Sequence, residues 1–101
     1  MNDKYILKNK IAVPVENVLE WGHWFETADR IVKQETLSHG YYVSTVFLGL
    51  DHNFGSGKPL LFETMVFKGK DMGDLDMERY STWEEAEAGH KKMVEKWSKG
   101  L

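Results

Sequence analysis

The fold of this chain is constrained most by two neighbouring segments that are rich in apolar residues. In each segment, apolar side chains would lie on both faces of an extended strand. Residues 41–50 read Tyr-Tyr-Val-Ser-Thr-Val-Phe-Leu-Gly-Leu, and residues 60–68 read Leu-Leu-Phe-Glu-Thr-Met-Val-Phe-Lys. β-Branched and aromatic residues favour strands, whose side chains alternate between two faces. Both segments therefore predict strands of a sheet that is covered on both faces, or covered on one face and paired with another subunit on the other.

The remaining segments predict a small domain built around these two strands. Short extended runs, an apolar period of three and four, and a capping box at residues 82–85 mark the other elements. The predicted elements are strands at 4–8, 11–13, 30–37, 41–50, 60–68 and 78–81, and helices at 17–29 and 83–99. We therefore expect a single α+β domain over residues 1–101, with an antiparallel sheet of about four to six strands and two main helices, in the order ββαβββ(β)α.

The composition excludes several classes of site. The 101 residues include no cysteine, which rules out a disulfide scaffold, a thiolate zinc site, an iron–sulfur cluster and a cysteine nucleophile. The four histidines show no metal-ligand spacing, so we predict neither a metal site nor a cofactor. No apolar run approaches the roughly 18 residues of a membrane span, and the N-terminus lacks a signal-peptide pattern. We therefore expect a cytoplasmic protein without a membrane partner.

The distribution of charge argues against direct binding to duplex nucleic acid. Residues 71–87 contain seven acidic residues and only Arg79 as a base, whereas residues 88–101 contain four lysines and one glutamate. Duplex binding requires several clustered cations that displace the counterions of the phosphates. The order of acids followed by lysines is instead typical of a helix whose charges match its dipole.

A long connection between the two strongest strands is the main candidate for function. Residues 51–59 read Asp-His-Asn-Phe-Gly-Ser-Gly-Lys-Pro, and these nine residues exceed the usual hairpin loop of about two to five. Long loops held between strands often carry function. The alternative is a glycine-rich turn in which Asp51 and Asn53 cap backbone amides. A phosphate-binding loop is excluded, because Pro59 follows the lysine and His52 stands where that motif needs glycine.

We expect this loop to form a binding surface with Arg79 and Tyr80, which the last strand brings alongside. Arg79 is the only base in its acidic stretch, which suits bidentate contact with a carboxylate or a phosphate. The partner would be a protein anchored by Phe54, or a small anionic ligand such as a nucleotide. The predicted binding residues are Asp51, His52, Asn53, Phe54, Lys58, Arg79 and Tyr80.

Two further residues bear on catalysis. Glu63 is the one carboxylate within a strongly apolar strand. On the covered face of the sheet it would be an acid–base residue, and on the other face a simple polar alternation. His90 falls on the apolar stripe of the last helix, where we expect a core histidine bonded to a backbone carbonyl; the alternative is a residue that lines a pocket beneath Trp83 and Trp97. We assign no catalytic residue, and a small hydrolase or nucleotide-processing enzyme using His52 and Glu63 is the alternative.

The aromatic residues exceed what one small core can bury, so some of them should lie at an interface. Tryptophan and tyrosine dominate protein interfaces, and Trp24, Tyr41 and Tyr42 are the best candidates in this sequence. Two strands that are apolar on both faces, with only two helices to cover them, also predict a homodimer or a larger closed oligomer.

Three stretches carry a resemblance that extends over nearly the whole chain. They are residues 43–55 (VSTVFLGLDHNFG), 60–67 (LLFETMVF) and 78–90 (ERYSTWEEAEAGH), with further similarity at 5–8 and 19–26. In these stretches the chain resembles a family of small uncharacterised proteins encoded by tailed bacteriophages and prophages.

This resemblance implies a phage accessory protein that acts in the cytoplasm of the bacterial host. Small phage proteins of this kind inhibit a host enzyme, block a defence system or sequester a nucleotide signal. The leading hypothesis is therefore a non-catalytic protein that binds a host or defence component. The enzyme described above is the first alternative, and a minor virion or assembly protein is the second.

Overall fold

The computed structural model describes residues 3–53, 55, 57–69 and 73–99, so that Phe54 lies outside the described residues. In chain order its elements are β1 (Tyr5–Lys8), β2 (Ile11–Pro14), α1 (Val18–Thr27), β3 (Ile31–Thr36), β4 (Tyr41–Phe47), β5 (Phe62–Lys68), β6 (Asp76–Tyr80) and α2 (Trp83–Ser98). A 3₁₀ turn, Ser38–Gly40, links β3 to β4. The predicted α+β class and the predicted order of elements are confirmed.

The strands form two antiparallel sheets. β1 and β2 make a two-stranded hairpin, and the other four strands form a meander in the order β3-β4-β5-β6. In the register of the meander, Thr45 of β4 lies opposite Thr64 of β5, which in turn lies opposite Glu78 of β6. Because neighbouring residues along a strand point to opposite faces, this register decides which side chains share a face.

α2 lies across one face of the meander, which we call the covered face. The helix begins with the predicted capping box, in which Thr82 and Glu85 bond each other's backbone amides, and it buries Ala86, His90 and Met93. The strand residues beneath it are fully buried, and this layer, removed from water, is the main apolar contribution to folding. These residues are Val43, Thr45, Phe47, Phe62, Thr64 and Val66.

The hairpin and α1 extend the core at the end of the meander where β4 leads into the long loop. Trp24 of α1 packs edge-to-face on Phe47, with the ring centroids 5.8 Å apart. Tyr5 and Leu7 of β1 pack against the same cluster. Trp24, an interface candidate from its sequence, thus has its indole against the core.

β4 ends at Phe47, three residues before the predicted end, because of the conformation of Gly49. This glycine has φ of +79°, and a Cβ at its position would lie 2.8 Å from the Phe25 ring. Its carbonyl oxygen accepts a hydrogen bond of 3.0 Å from Trp21 Nε1. Glycine is therefore required both by the backbone turn and by the close approach of α1.

α2 approaches β6 closely at Gly89. The Tyr80 ring occupies the space that a Cβ at position 89 would need, whereas the Cβ position of Gly22 in α1 has no neighbour within 4 Å. A glycine inside a helix costs stability relative to alanine, by about 0.5–1 kcal/mol. Gly89 is therefore retained for the contact with Tyr80, and Gly22 has no such contact.

Alanine at these two positions should have opposite effects. Gly22→Ala should raise the free energy of unfolding by about 0.5–1 kcal/mol, because it only adds helix propensity. Gly89→Ala should lower it by about 1–3 kcal/mol, because the Tyr80 ring must move. Urea denaturation of both variants and the parent chain measures this difference. Equal shifts in the same direction would show that Tyr80 does not pack on Gly89 as described.

The opposite face of the meander, which we call the open face, carries apolar side chains that keep part of their surface exposed. They are Tyr42, Val46, Met65, Phe67 and Met77. Near them Arg79 Nε donates a hydrogen bond of 2.9 Å to Glu63 Oε2. Glu63 therefore lies on the face that α2 does not cover, which agrees with the second of the two interpretations of this residue.

The open face should associate with the open face of a second copy. Glu63 and Arg79 on the open face neutralise each other in an ion pair, so these two groups do not make two copies repel each other. Strands spaced about 4.8 Å apart, with a rise of about 3.3 Å per residue, make a face of roughly 20 Å by 20 Å. An interface of that size is at the low end for specific association, so we expect a weak dimer.

Light scattering should therefore give a mass that rises with concentration across the micromolar range, from the 11.7 kDa of the chain toward twice that value. Met65→Asp should reduce this mass to that of the monomer, because it places a charge in the middle of the open face. Ile11→Asp is the matched control, since Ile11 is 65% exposed on the hairpin. A monomer mass for the parent chain at every concentration would contradict the expectation.

Candidate functional site

The polar side chains of the long loop bond to the loop's own backbone. Asp51 Oδ1 accepts from the amides of Asn53 at 2.8 Å and Leu60 at 2.9 Å. Asn53 Nδ2 donates to the carbonyl of Lys58 at 2.8 Å, and His52 Nδ1 lies 2.9 Å from the carbonyl of Leu50. These bonds correspond to the alternative considered from the sequence, a turn stabilised by side-chain caps.

Arg79 and Tyr80 do not reach the loop as a pair, because successive residues of β6 point to opposite faces. Arg79 lies on the open face, paired with Glu63. The Tyr80 hydroxyl lies on the covered face, where it donates to Thr64 Oγ1 at 3.2 Å. Of the predicted binding residues that the structure describes, Asp51, His52, Asn53 and Lys58 lie together in the loop, whereas Arg79 and Tyr80 lie on opposite faces of the sheet.

The remaining interface candidates also occupy different faces. Tyr41 packs on Trp97 of α2, with ring centroids 5.1 Å apart. Tyr42 lies on the open face, opposite Phe67 in the register of β4 and β5. Tyr42 is therefore the candidate that belongs to the surface expected to associate.

A series of hydrogen bonds runs beneath α2 across all four strands of the meander. Glu35 of β3 lies 2.9 Å from His90 Nε2, and His90 Nδ1 lies 2.6 Å from Thr45 Oγ1. Thr45 Oγ1 is 2.5 Å from Thr64 Oγ1, which accepts from the Tyr80 hydroxyl. A carboxylate can only accept, so Nε2 of His90 carries a proton, and in the neutral ring Nδ1 accepts from Thr45. Tyr80, Thr64, Thr45 and His90 then each donate in one direction, toward Glu35, which only accepts.

The set of threonine, histidine and carboxylate resembles a nucleophile, base and orienting acid, but its nucleophile is out of reach. Thr45 and Thr64 have no exposed surface, and His90 is 2% exposed. A nucleophile must contact the substrate, so this arrangement supports a structural role. His90 is buried as expected, but its partners are the side chains of Thr45 and Glu35 and not the expected backbone carbonyl.

Sequence reasoning missed Glu35 and Thr45. A signal exists for Thr45, since it stands between Val43 and Phe47 on what becomes the covered face, where a hydroxyl needs a partner. Glu35 could not be found in this way, because its sequence context does not distinguish it from a solvent-exposed glutamate on an edge strand.

Glu35 is the member of this hydrogen-bonded series that is in contact with solvent. The hydrogen bond from His90 is the largest cause that lowers the pKa of the Glu35 carboxyl, and nearby Lys33 also lowers it, while burial opposes both. A cleft of about 420 Å³ between β3 and α2 opens beside it. The lining residues of this cleft are Lys33, Glu35, Glu87, His90, Lys91, Val94 and Glu95.

Glu35→Gln should reduce stability in a pH-dependent way. Because the pKa is lowered on folding, the carboxylate contributes stability above its ordinary pKa of 4.5 and loses that contribution as the pH falls through the lowered value. The difference in free energy of unfolding between parent and variant should therefore be largest at neutral pH and shrink below about pH 4.5. Urea denaturation from pH 7 to pH 3 measures it.

The pKa of Asp76 is also lowered, first by the hydrogen bond from Lys96 and then by that from Trp97. Asp76 therefore contributes the same pH-dependent stability to the parent and to Glu35→Gln. It therefore cancels in the comparison of parent and Glu35→Gln. A difference between the two proteins that stays constant over the whole pH range would contradict the role of the His90–Glu35 bond.

β6 is an edge strand of the meander, so one of its two backbone edges faces away from β5. Within the described ranges, β6 pairs with β5 alone. The amide of Met77 donates a hydrogen bond of 2.9 Å to the side chain of the preceding residue, at Asp76 Oδ1. β6 therefore presents backbone groups that could pair with another strand.

A cleft of about 520 Å³ lies between this edge and α2. Asp76 forms part of its wall and is held by Lys96 Nζ at 2.7 Å and by Trp97 Nε1 at 3.0 Å. Burial is the first cause that raises the pKa of the Tyr80 hydroxyl, and the charges of Glu78 and Asp76 raise it further. The lining residues are Asp76, Glu78, Tyr80, Glu85, Ala88, Gly89, Lys92, Met93 and Lys96.

Comparisons with protein-family models, with curated proteins and with solved structures give no match to this chain. In the part of the chain that the structure describes, no three histidine, aspartate or glutamate side chains come together as a metal-binding group. No helix among the described residues is long and apolar enough to cross a membrane.

Proposed function

We propose that this chain is a non-catalytic binding protein that acts on another protein. The observation that carries the proposal is the outer edge of β6, which is unpaired within the described ranges and lies beside a cleft of about 520 Å³. A strand edge that no other strand pairs, next to a groove, is a common way of binding a protein segment. The β6 edge, with this cleft, is the proposed contact surface for the partner.

The use of the polar residues supports binding rather than catalysis. Glu63 is paired with Arg79, and His52 bonds the carbonyl of Leu50 in its own loop. Both residues of the enzyme alternative therefore already have partners within the fold. The Thr45–His90 pair, the other arrangement with catalytic character, has no exposed nucleophile.

The resemblance to phage proteins gives the expected class of partner, a host or defence component in the bacterial cytoplasm. A small anionic ligand is less well supported at this surface, since Asp76, Glu78 and Glu85 all contribute to the cleft. Arg79, which was expected to meet such a ligand, is engaged by Glu63. A minor virion or assembly protein would also need a protein-binding surface, so purified particles must be tested for the chain.

The proposal is tested by recovering a partner and then rebuilding the complex from purified components. The tagged chain is purified from infected bacteria, and each captured protein is produced separately and titrated against the purified chain. The parent should bind the true partner, and Glu78→Lys should weaken that binding at least about tenfold if the β6 edge is the contact surface. Glu84→Lys is the matched control, because Glu84 is an exposed acid on α2 that does not line the cleft.

Equal weakening by both substitutions would indicate general electrostatics and would contradict the assigned surface. Binding that neither substitution changes would place the contact elsewhere. Turnover of a substrate by the purified chain, lost in His52→Ala or Glu63→Gln, would replace the proposal with the enzyme alternative.

A further inference from the structure

We infer that the β6 edge accepts an extended segment of its partner as a fifth strand of the meander, and that this segment alternates basic and apolar residues. The inference rests on the proposed function, because it names the form and chemistry of the element that binds at the same surface.

The backbone of β6 offers a template of suitable length. The strand has five residues, and its inner edge is used by β5 over the whole of that length. An added antiparallel or parallel strand would take the outer edge at the usual spacing of about 4.8 Å. The Met77 amide, now served by the Asp76 carboxylate, is a donor that an incoming carbonyl could use.

Acidic residues alternate with apolar residues along this edge, and this pattern favours a partner with basic residues. Asp74, Asp76 and Glu78 occupy every second position, and the last two line the cleft with α2. Lys96 pairs with Asp76, whereas Glu78 has no ion-pair partner among the described residues. Oppositely charged residues facing each other on neighbouring strands stabilise a sheet. A basic residue opposite Glu78 would therefore be favoured. Among the described residues that line the cleft, Lys92 of α2 is the one cation without an ion pair.

The positions between the acids are apolar and exposed. Leu75 and Met77 keep 49% and 39% of their surface, and Met77 belongs to the open face. Apolar residues of an added strand would lie beside them and widen the open face by one strand. Alternating basic and apolar residues in the partner thus match both sides of β6 at once.

The same alternation disfavours pairing of β6 with the β6 of a second copy. Antiparallel pairing of two copies would set Asp76 and Glu78 against the acids of the other chain, and like charges on facing strands destabilise a sheet. The occupant of this edge is therefore a different sequence, and the second copy is expected at the open face instead.

The test uses a synthetic peptide with the sequence Val-Lys-Val-Lys-Val-Lys-Val, blocked at both ends, titrated into the ¹⁵N-labelled full chain. Binding should shift the amide signals of β6 and should slow hydrogen exchange at Met77. The same peptide with N-methyl groups on alternate residues cannot complete the strand, so its affinity should fall at least about tenfold. A scrambled peptide with its lysines adjacent controls for charge alone and should bind as weakly as the N-methylated one.

Charge selection is tested by exchanging the sign on both partners. Glu78→Lys should weaken binding of the lysine peptide by roughly two- to fivefold and strengthen binding of a Val-Glu alternating peptide by a similar factor. Glu84→Lys should change neither affinity, and the amide spectrum of each variant shows whether it is folded.

The inference would be overturned by equal binding of the plain and N-methylated peptides, by signal shifts confined to residues away from β6, or by no binding at millimolar peptide. If a captured protein still binds the parent and loses affinity in Glu78→Lys while the peptide fails, the proposed function stands and the fifth strand is wrong. If no captured protein depends on Glu78, the proposed function itself fails.

Discussion

The packing of α2 on β4 and β5 is the interaction on which the rest of this structure depends. Val43, Phe47, Phe62 and Val66 have essentially no exposed surface, and all of them lie under the helix or beside its first turn. A meander without this cover would expose apolar side chains on both faces and would not be stable by itself. Because only one face receives the helix, the opposite face keeps the apolar character that makes association the expected outcome.

Burial of this layer brings a cost, because it encloses three polar side chains. Thr45, Thr64 and His90 lie in the middle of the covered face, and a hydroxyl or imidazole without a partner there would be strongly destabilising. Their mutual hydrogen bonds, extended to Glu35 at one side and Tyr80 at the other, satisfy these groups. The hydrogen bonds of His90 also fix the position of α2 relative to the strands, since displacing the helix would break its bonds to both Thr45 and Glu35.

Most of the fold could be predicted because local signals agreed with the final packing. The capping box at Thr82 and Glu85 and the β-branched run in β4 both appear where the sequence indicated. The end of β4 was missed, because Gly49 turns the chain in response to α1, which is distant in sequence. The candidate site was less predictable. Residues that share a loop, such as Asp51 and Asn53, can be grouped by sequence, but the face taken by Glu63 depends on how the sheet is covered.

Arg79 and Tyr80 illustrate why a site is harder to predict than a fold. Adjacent in sequence, they lie on opposite faces, where one neutralises Glu63 and the other completes the bonds beneath α2. The same alternation gives β6 two acids, Asp76 and Glu78, on the side toward the cleft, and Met77 beside the paired Arg79 on the side toward the open face. A strand at the edge of a sheet is normally protected by charge, and here the acids discourage pairing with an identical strand. Protection of this kind is selective, because acids that repel their own copies attract a basic sequence. The device that keeps β6 from self-association is therefore also what would give it specificity for a different partner.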